Sequence, residues 1–229
     1  MLIRHIYHSC FLVETEQSYY LFDYYKGELP PLAKDKPIVV LASHAHKDHY
    51  NPALFPLLRE LGMERVFAVL ANDIPKKKYP EGGVDALTVS CSREYSLPGG
   101  ERLETLCSTD SGVAFLLAVE GGVLYHAGDL NDWAWNGASE ADNRQMRGSY
   151  RHEIDKLAGR RIDAAFVPLD PRLEEHYGDG LLYFLEATEA RRVYPMHYWG
   201  KHGVIRRFVK EHPQFAQRVA SIKKEGEVL

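Results

Sequence analysis

The sequence predicts an α/β fold in which sheets pack together with helices outside. Two patterns carry that reading. The first half is dense in short apolar runs broken by turn residues, as in β-hairpins, and the second alternates such runs with longer amphipathic stretches, as in β-α units. At 229 residues, 45% hydrophobic and 26% charged, the chain is long and apolar enough to bury a substantial core. No linker, internal repeat or low-complexity segment stands out, so 1–229 reads as one domain.

Residues 2–25 read as two strands joined by a turn at Glu16-Gln17-Ser18. A buried strand over 37–43 follows. Pro52 opens a helix from Ala53 to Leu61, with Leu54, Leu57, Leu58 and Leu61 at helical spacing, and Gly62 ends it. Arg65 to Leu70 is another buried strand, and the polar stretch 71–83, with Pro75, Pro80, Gly82 and Gly83, is a loop. Short strands lead to Gly99-Gly100. Strands at 101–107, 113–119 and 123–127 come next, the last two joined as a hairpin by Gly121-Gly122. Leu130 to Gly137 carries two tryptophans, and a long helix fits 139–158. Strand 163–168, helix 178–189, strand 192–196 and helix 203–211 complete the α/β half.

The formal net charge of −4 argues against a broad nucleic-acid surface. Lys76-Lys77-Lys78 and Arg160-Arg161, the main basic runs, read as solvated faces. Cys10, Cys91 and Cys107 are odd in number and widely spaced. They offer neither a metal pair nor a disulfide framework, and Cys10 and Cys107 read as small core residues. The first residues lack a secretory apolar region, and no apolar run approaches membrane-spanning length. A reducing, cytoplasmic setting is therefore expected, with homo-oligomerisation left open.

The densest chemistry lies in Ser43-His44-Ala45-His46-Lys47-Asp48-His49, directly after the apolar run Ile38 to Ala42. Imidazole nitrogen and carboxylate oxygen are ligands that divalent transition metals take up. His44 and His46, two apart, point to one side of an extended segment, and Asp48 and His49 approach after the chain turns. One loop can thus serve two ions, one held by each pair.

The pattern His-x-His-x-Asp-His after a strand resembles the signature of the metallo-β-lactamase superfamily. Other segments match in order. His8 to Glu14 resembles the first-strand motif of the branch that includes the L-ascorbate phosphate lactonases, and Phe22-Asp23 the end of the next strand. Tyr125 to Asp129 resembles the segment with the bridging aspartate, and Pro195 to Trp199 the last-histidine segment. One element departs. The family usually has a histidine between the first motif and the bridging aspartate, but Cys107 to Gly112 contains none. The third ligand of the first ion is then Asp110, water or absent.

The resemblance implies a four-layer αβ/βα sandwich with the site at one edge between the sheets. It implies one or two divalent ions per chain, zinc or manganese/iron. His44, His46 and Asp110 would hold one ion, Asp48, His49 and His197 the other, and Asp129 would bridge, with Asp48 and Asp129 the catalytic carboxylates. An oxygen donor in place of nitrogen leans toward manganese or iron. His8, Trp133, Trp199 and Arg172 are candidate substrate contacts. The function expected is hydrolysis of an ester, lactone or phosphodiester in a small molecule by a metal-bound hydroxide. The alternatives are a nuclease or phosphodiesterase of the same superfamily, and a metal-binding sensor without turnover.

Overall fold

In the computed structural model, which describes all 229 residues, the strands divide evenly between two six-stranded sheets. The first contains β1 (Leu2–Tyr7), β2 (Cys10–Glu14), β3 (Tyr19–Phe22), β4 (Ile38–Ala42), β5 (Val66–Ala71) and β6 (Asp85–Val89), in that order. The second contains β7 (Glu94–Ser96), β8 (Arg102–Cys107), β9 (Val113–Val119), β10 (Gly122–His126), β11 (Ala164–Pro168) and β12 (Arg192–Met196), also side by side. The helices are α1 (Leu54–Glu60), α2 (Glu140–Asp155), α3 (Asp179–Ala187) and α4 (Gly203–Glu211).

Each sheet starts antiparallel and ends parallel. The change comes at β3 in the first sheet and β10 in the second. The two halves thus share an architecture that no sequence repeat displays. Strands β4 and β11 are buried along their whole length, as parallel strands covered on both faces must be. Aromatic rings join the sheets face to face: Phe11 of β2 lies 4.4 Å from Phe166 of β11, centroid to centroid. Outside, Phe184 of α3 stacks on Tyr125 of β10, and Leu54, Phe55 and Leu58 of α1 are buried. One continuous core of 64 buried residues runs from Ile3 to Ile222. This is the α/β sandwich expected.

The helices and most strands fall close to the expected ranges. Residues 2–25 instead form three strands, because the first run turns back at His8-Ser9 and pairs Tyr7 with Cys10. Lys76–Lys78 and Pro171–His176 form short 3-10 segments. The cysteine reading also needs correction. Cys91 and Cys107 form a disulfide, with Cα atoms 4.7 Å apart, and only Cys10 is a buried free thiol. Linear spacing hid the pair, because β7 and β8 fold the intervening residues back on themselves. A reducing compartment therefore cannot be argued from these cysteines.

The sheets meet at the end of β4, where the Ser43 carbonyl accepts a hydrogen bond from the Val113 amide of β9 at 2.9 Å. Gly112 makes the approach possible. It has φ +69°, and a Cβ there would stand 1.9 Å from the Ser43 carbonyl oxygen and 2.6 Å from His44 Cβ. Gly112→Ala should therefore destabilise the protein by roughly 2–4 kcal/mol, through backbone strain plus overlap with main chain that cannot yield. Chemical denaturation checks this, and a variant with the parent's midpoint would contradict it.

Candidate metal centre

Every residue at the centre follows the carboxyl end of a strand or the hairpin turn beside one. Asp23 follows β3, Ser43 to His49 follow β4, Asp129 follows β10, Asp170 follows β11, His197 follows β12, and His8 occupies the β1–β2 turn. Parallel strands deliver their carboxyl ends to one edge, the usual place for a site in open α/β sheets. Three of these residues, and Trp199 just beyond His197, hold left-handed backbone without being glycine: His8 (φ 55°), Asp23 (φ 45°), His197 (φ 64°) and Trp199 (φ 53°). Such backbone is costly and clusters at functional sites.

Two groups of side chains result. The potential ligand atoms of His8, Asp48, His49 and His197 all lie within 4.8 Å of one another, and so do those of His44, His46, Asp110 and Asp129. Asp129 spans both. Its Oδ1 lies 3.1 Å from His49 Nε2 and 3.4 Å from His197 Nε2, and its Oδ2 lies 3.4 Å from His44 Nε2. Asp110 joins the group of His44 and His46, 3.7 Å from His46 Nδ1, with both side chains about half exposed. His8, expected as a substrate contact, instead enters the group of Asp48, His49 and His197, with Nε2 3.4 Å from Asp48 and its side chain fully buried.

The histidines are oriented from behind. The fully buried Asp23 accepts hydrogen bonds from the Ser43 amide, the Ser43 hydroxyl and His49 Nδ1, each at 2.7 Å. Asp170 accepts from His197 Nδ1 at 2.9 Å. A carboxylate only accepts, so both imidazoles carry hydrogen on Nδ1, and in the neutral form that a metal ion takes up Nε2 is the nitrogen left to ligate. Ser43 Oγ gives its hydrogen to Asp23, so at 2.9 Å it receives one from His44 Nδ1, and His44 takes the same form. The Nε2 atoms of His44, His49 and His197, both nitrogens of His8 and Asp129 Oδ1 are buried and have no hydrogen-bond partner. Buried polar atoms are almost always satisfied, and an unsatisfied one costs about 1–3 kcal/mol. Five of them, the Nε2 atoms of His8, His44, His49 and His197 and Asp129 Oδ1, belong to the two groups, and this donor set fits divalent metal ions.

The electrostatics agree. Burial alone would raise the Asp129 carboxyl, but the neighbouring His49 and His197 outweigh it and hold the group well below the usual carboxylate range. Burial alone would lower His49, but Asp129 and Asp23 outweigh it and raise its imidazole well above the ordinary value. The centre thus favours positive charge between its acids. His8 has no such anchor behind it, and burial lowers it to about 4.

A cavity of about 450 Å³ opens on this centre. Trp133, Trp199 and Arg172 line it, together with Trp135 and Met146. Trp133 is largely buried, and its indole N–H donates to the Asp129 carbonyl at 2.8 Å, so it also steadies the backbone of that carboxylate. Sequence reasoning missed the supporting roles of Asp23 and Ser43. The signal was present as a carboxylate directly after the apolar strand Tyr19–Phe22, and as a serine opening the histidine loop.

Residues 2–134, more than half of the chain, match the family model described as a β-lactamase superfamily domain, and the chain belongs to that family. A comparison with curated proteins finds no match. Among solved structures, Igni18, a metallo hydrolase from the archaeon Ignicoccus hospitalis, is similar with TM-score 0.67 at 17% identity over 100% of this chain and 97% of its own. An isothiocyanate hydrolase from Delia radicum gut bacteria gives 0.62 at 11% identity, over 100% of this chain and 98% of its own. CmlA, a diiron β-hydroxylase from Streptomyces venezuelae, gives 0.61 at 14% identity, over 100% of this chain and 53% of its own. At these identities the likeness is one of fold.

If Asp23 and Asp170 orient the ligands as the hydrogen bonds indicate, their asparagine variants should differ. Asp23→Asn disturbs His49 directly and His44 through Ser43, so it should weaken both ions about 10–100-fold. Among the candidate ligands Asp170→Asn touches only His197, so it should weaken one ion. Competition with a chromogenic chelator measures both, and equal loss at both ions in Asp170→Asn would contradict the assignment.

Proposed function

We propose that the protein is a metal-dependent hydrolase that cleaves an ester, lactone or phosphodiester bond in a small molecule, with Asp129 as the carboxylate shared by two divalent ions. The observation that carries the reading is the placement of Asp129. Its Oδ1 faces Nε2 of His49 and His197, its Oδ2 faces Nε2 of His44, and it lines a cavity with His46, Asp48, Asp110 and His197. Bound ions would supply a water of lowered pKa and polarise the carbonyl or phosphoryl oxygen of the substrate.

The chain's own residues do the rest. Asp23, Ser43 and Asp170 keep three imidazoles in one tautomer and aimed at the centre. Asp48, beside His8 and His49, brings a second carboxylate to the inner group, and the bonds Asp170 accepts from His197 and Arg172 override its burial and hold its carboxyl near 2, so it stays ionised at neutral pH. Thr109 lines the cavity, but its hydroxyl donates to the Asn131 carbonyl at 2.6 Å and is not free to attack substrate. The cavity volume suits a small molecule. That supports the small-molecule hydrolase over a nuclease, as does the acidic net charge.

Two outcomes test the reading. Asp129→Ala should remove activity on any ester the parent hydrolyses more completely than Asp110→Ala, because a shared carboxylate serves both ions and Asp110 at most one. Equal residual rates in folded variants would contradict this. The second concerns the ions themselves. The inner group is buried apart from Asp48, whereas His46 and Asp110 are exposed. The inner ion should bind more tightly, and purified protein should carry fewer than two ions per chain. Added manganese should then raise activity more than zinc, since Asp110 contributes oxygen where nitrogen is usual. Equilibrium dialysis with elemental analysis decides, and two equally tight zinc ions unaffected by Asp110→Ala would refute it.

A further inference from the structure

We propose that Trp135 and Arg172 select the substrate, which joins a flat apolar group to an anionic one; the selection rests on the hydrolase reading of the same site. Trp135 is a large apolar side chain left 41% exposed, and it lines the cavity. Its position is built rather than accidental. Its backbone N–H donates to Asn143 Oδ1 at 3.0 Å, and its carbonyl accepts from Asn143 Nδ2 at 2.9 Å, so one side chain of α2 grips both sides of the residue. The clamp uses main chain alone and leaves the indole free to face a ligand. Met146 of the same helix and the exposed flank of Trp199 extend the apolar wall. An exposed apolar surface facing a polar centre marks a place for an apolar part of a ligand.

The anionic part follows from Arg172. Its Nε and Nη2 donate to Asp170 at 2.5–3.0 Å, and its guanidinium carbon lies 4.8 Å from the Trp199 ring centre. Two sides of the group are thus fixed. Its Nη1 donates to no group of the protein, and the residue lines the cavity. A guanidinium pinned on one edge and free on the other is arranged to hold a carboxylate or phosphate. The carboxylates that line the cavity beside it, Asp48, Asp110 and Asp129, fall one charge short of two divalent ions, so the loaded centre does not repel an anion.

Calorimetric titration of the ion-loaded protein with 2-naphthoate, 2-naphthamide and acetate tests the pair without turnover. The parent should bind 2-naphthoate most tightly. Trp135→Ala should weaken both naphthyl probes about tenfold and leave acetate unchanged. Arg172→Gln should weaken 2-naphthoate about tenfold and leave 2-naphthamide unchanged. Unchanged naphthyl binding in Trp135→Ala, equal losses for both naphthyl probes in Arg172→Gln, or acetate binding as tight as 2-naphthoate would overturn the proposal. Elemental analysis accompanies each titration, and loss of ions in Arg172→Gln would assign that residue to holding Asp170 and overturn the anionic half. Hydrolysis of naphthyl esters on the same samples separates the two readings. The binding contrast without turnover would retire the hydrolase and keep this selection, and turnover without the contrast would do the reverse.

Discussion

The centre depends on the burial of one carboxylate, Asp23. Moving a carboxylate out of water costs several kcal/mol unless donors replace the lost hydration. Three donors do so here, two from Ser43 and one from His49, and His126 Nδ1 lies 3.8 Å away. Burial raises the carboxyl, and the imidazoles of His126, His49 and His44 together reverse it, so the group stays ionised. The same bonds tie the end of β3 to the end of β4 and set two of the metal-facing imidazoles. A neutral isostere would keep the shape and lose the acceptor that fixes both tautomers.

From that anchor the strain around the centre becomes intelligible. Four residues in left-handed backbone and six unsatisfied buried polar atoms are each worth about 1–3 kcal/mol against folding. Together they rival the whole stability of an ordinary domain. A continuous core sustains such a centre, and ions that bind only the folded chain offset its cost by mass action. The orphaned nitrogens are therefore the best single indication of metal, stronger than the count of histidines, because nothing else in the fold has reason to leave them bare.

Much of this was legible in the sequence, in a pattern that follows from physics. The loop from His44 to His49 announced itself because ligands two and three apart need no tertiary information to be recognised together. Asp129 and His197 were legible because each follows an apolar strand, and strands of one sheet share an edge. Asp23 was visible as a strand end but not as a support, because its three donors come from residues 20 and more positions away. The Cys91–Cys107 pair was misread for the same reason: the hairpin between β7 and β8 joins them, not their spacing. His8 was noticed but given a different role, since its place among the ligands depends on a two-residue turn read from the sequence as continuous strand.

The centre is also asymmetric, and the asymmetry is chemical. One side is made of buried imidazoles backed by carboxylates, a rigid and water-poor place. The other opens through the half-exposed pair His46 and Asp110 into the cavity under Trp135 and Arg172. The loop that carries Asp110 is also the loop whose Gly112 lets the sheets close on Ser43. Its backbone is therefore held tightly while its side chain faces water. A ligand on such a loop keeps its position without being sealed from solvent. In the proposed reading, exchange of substrate and product belongs on that side, and lasting retention of an ion on the other.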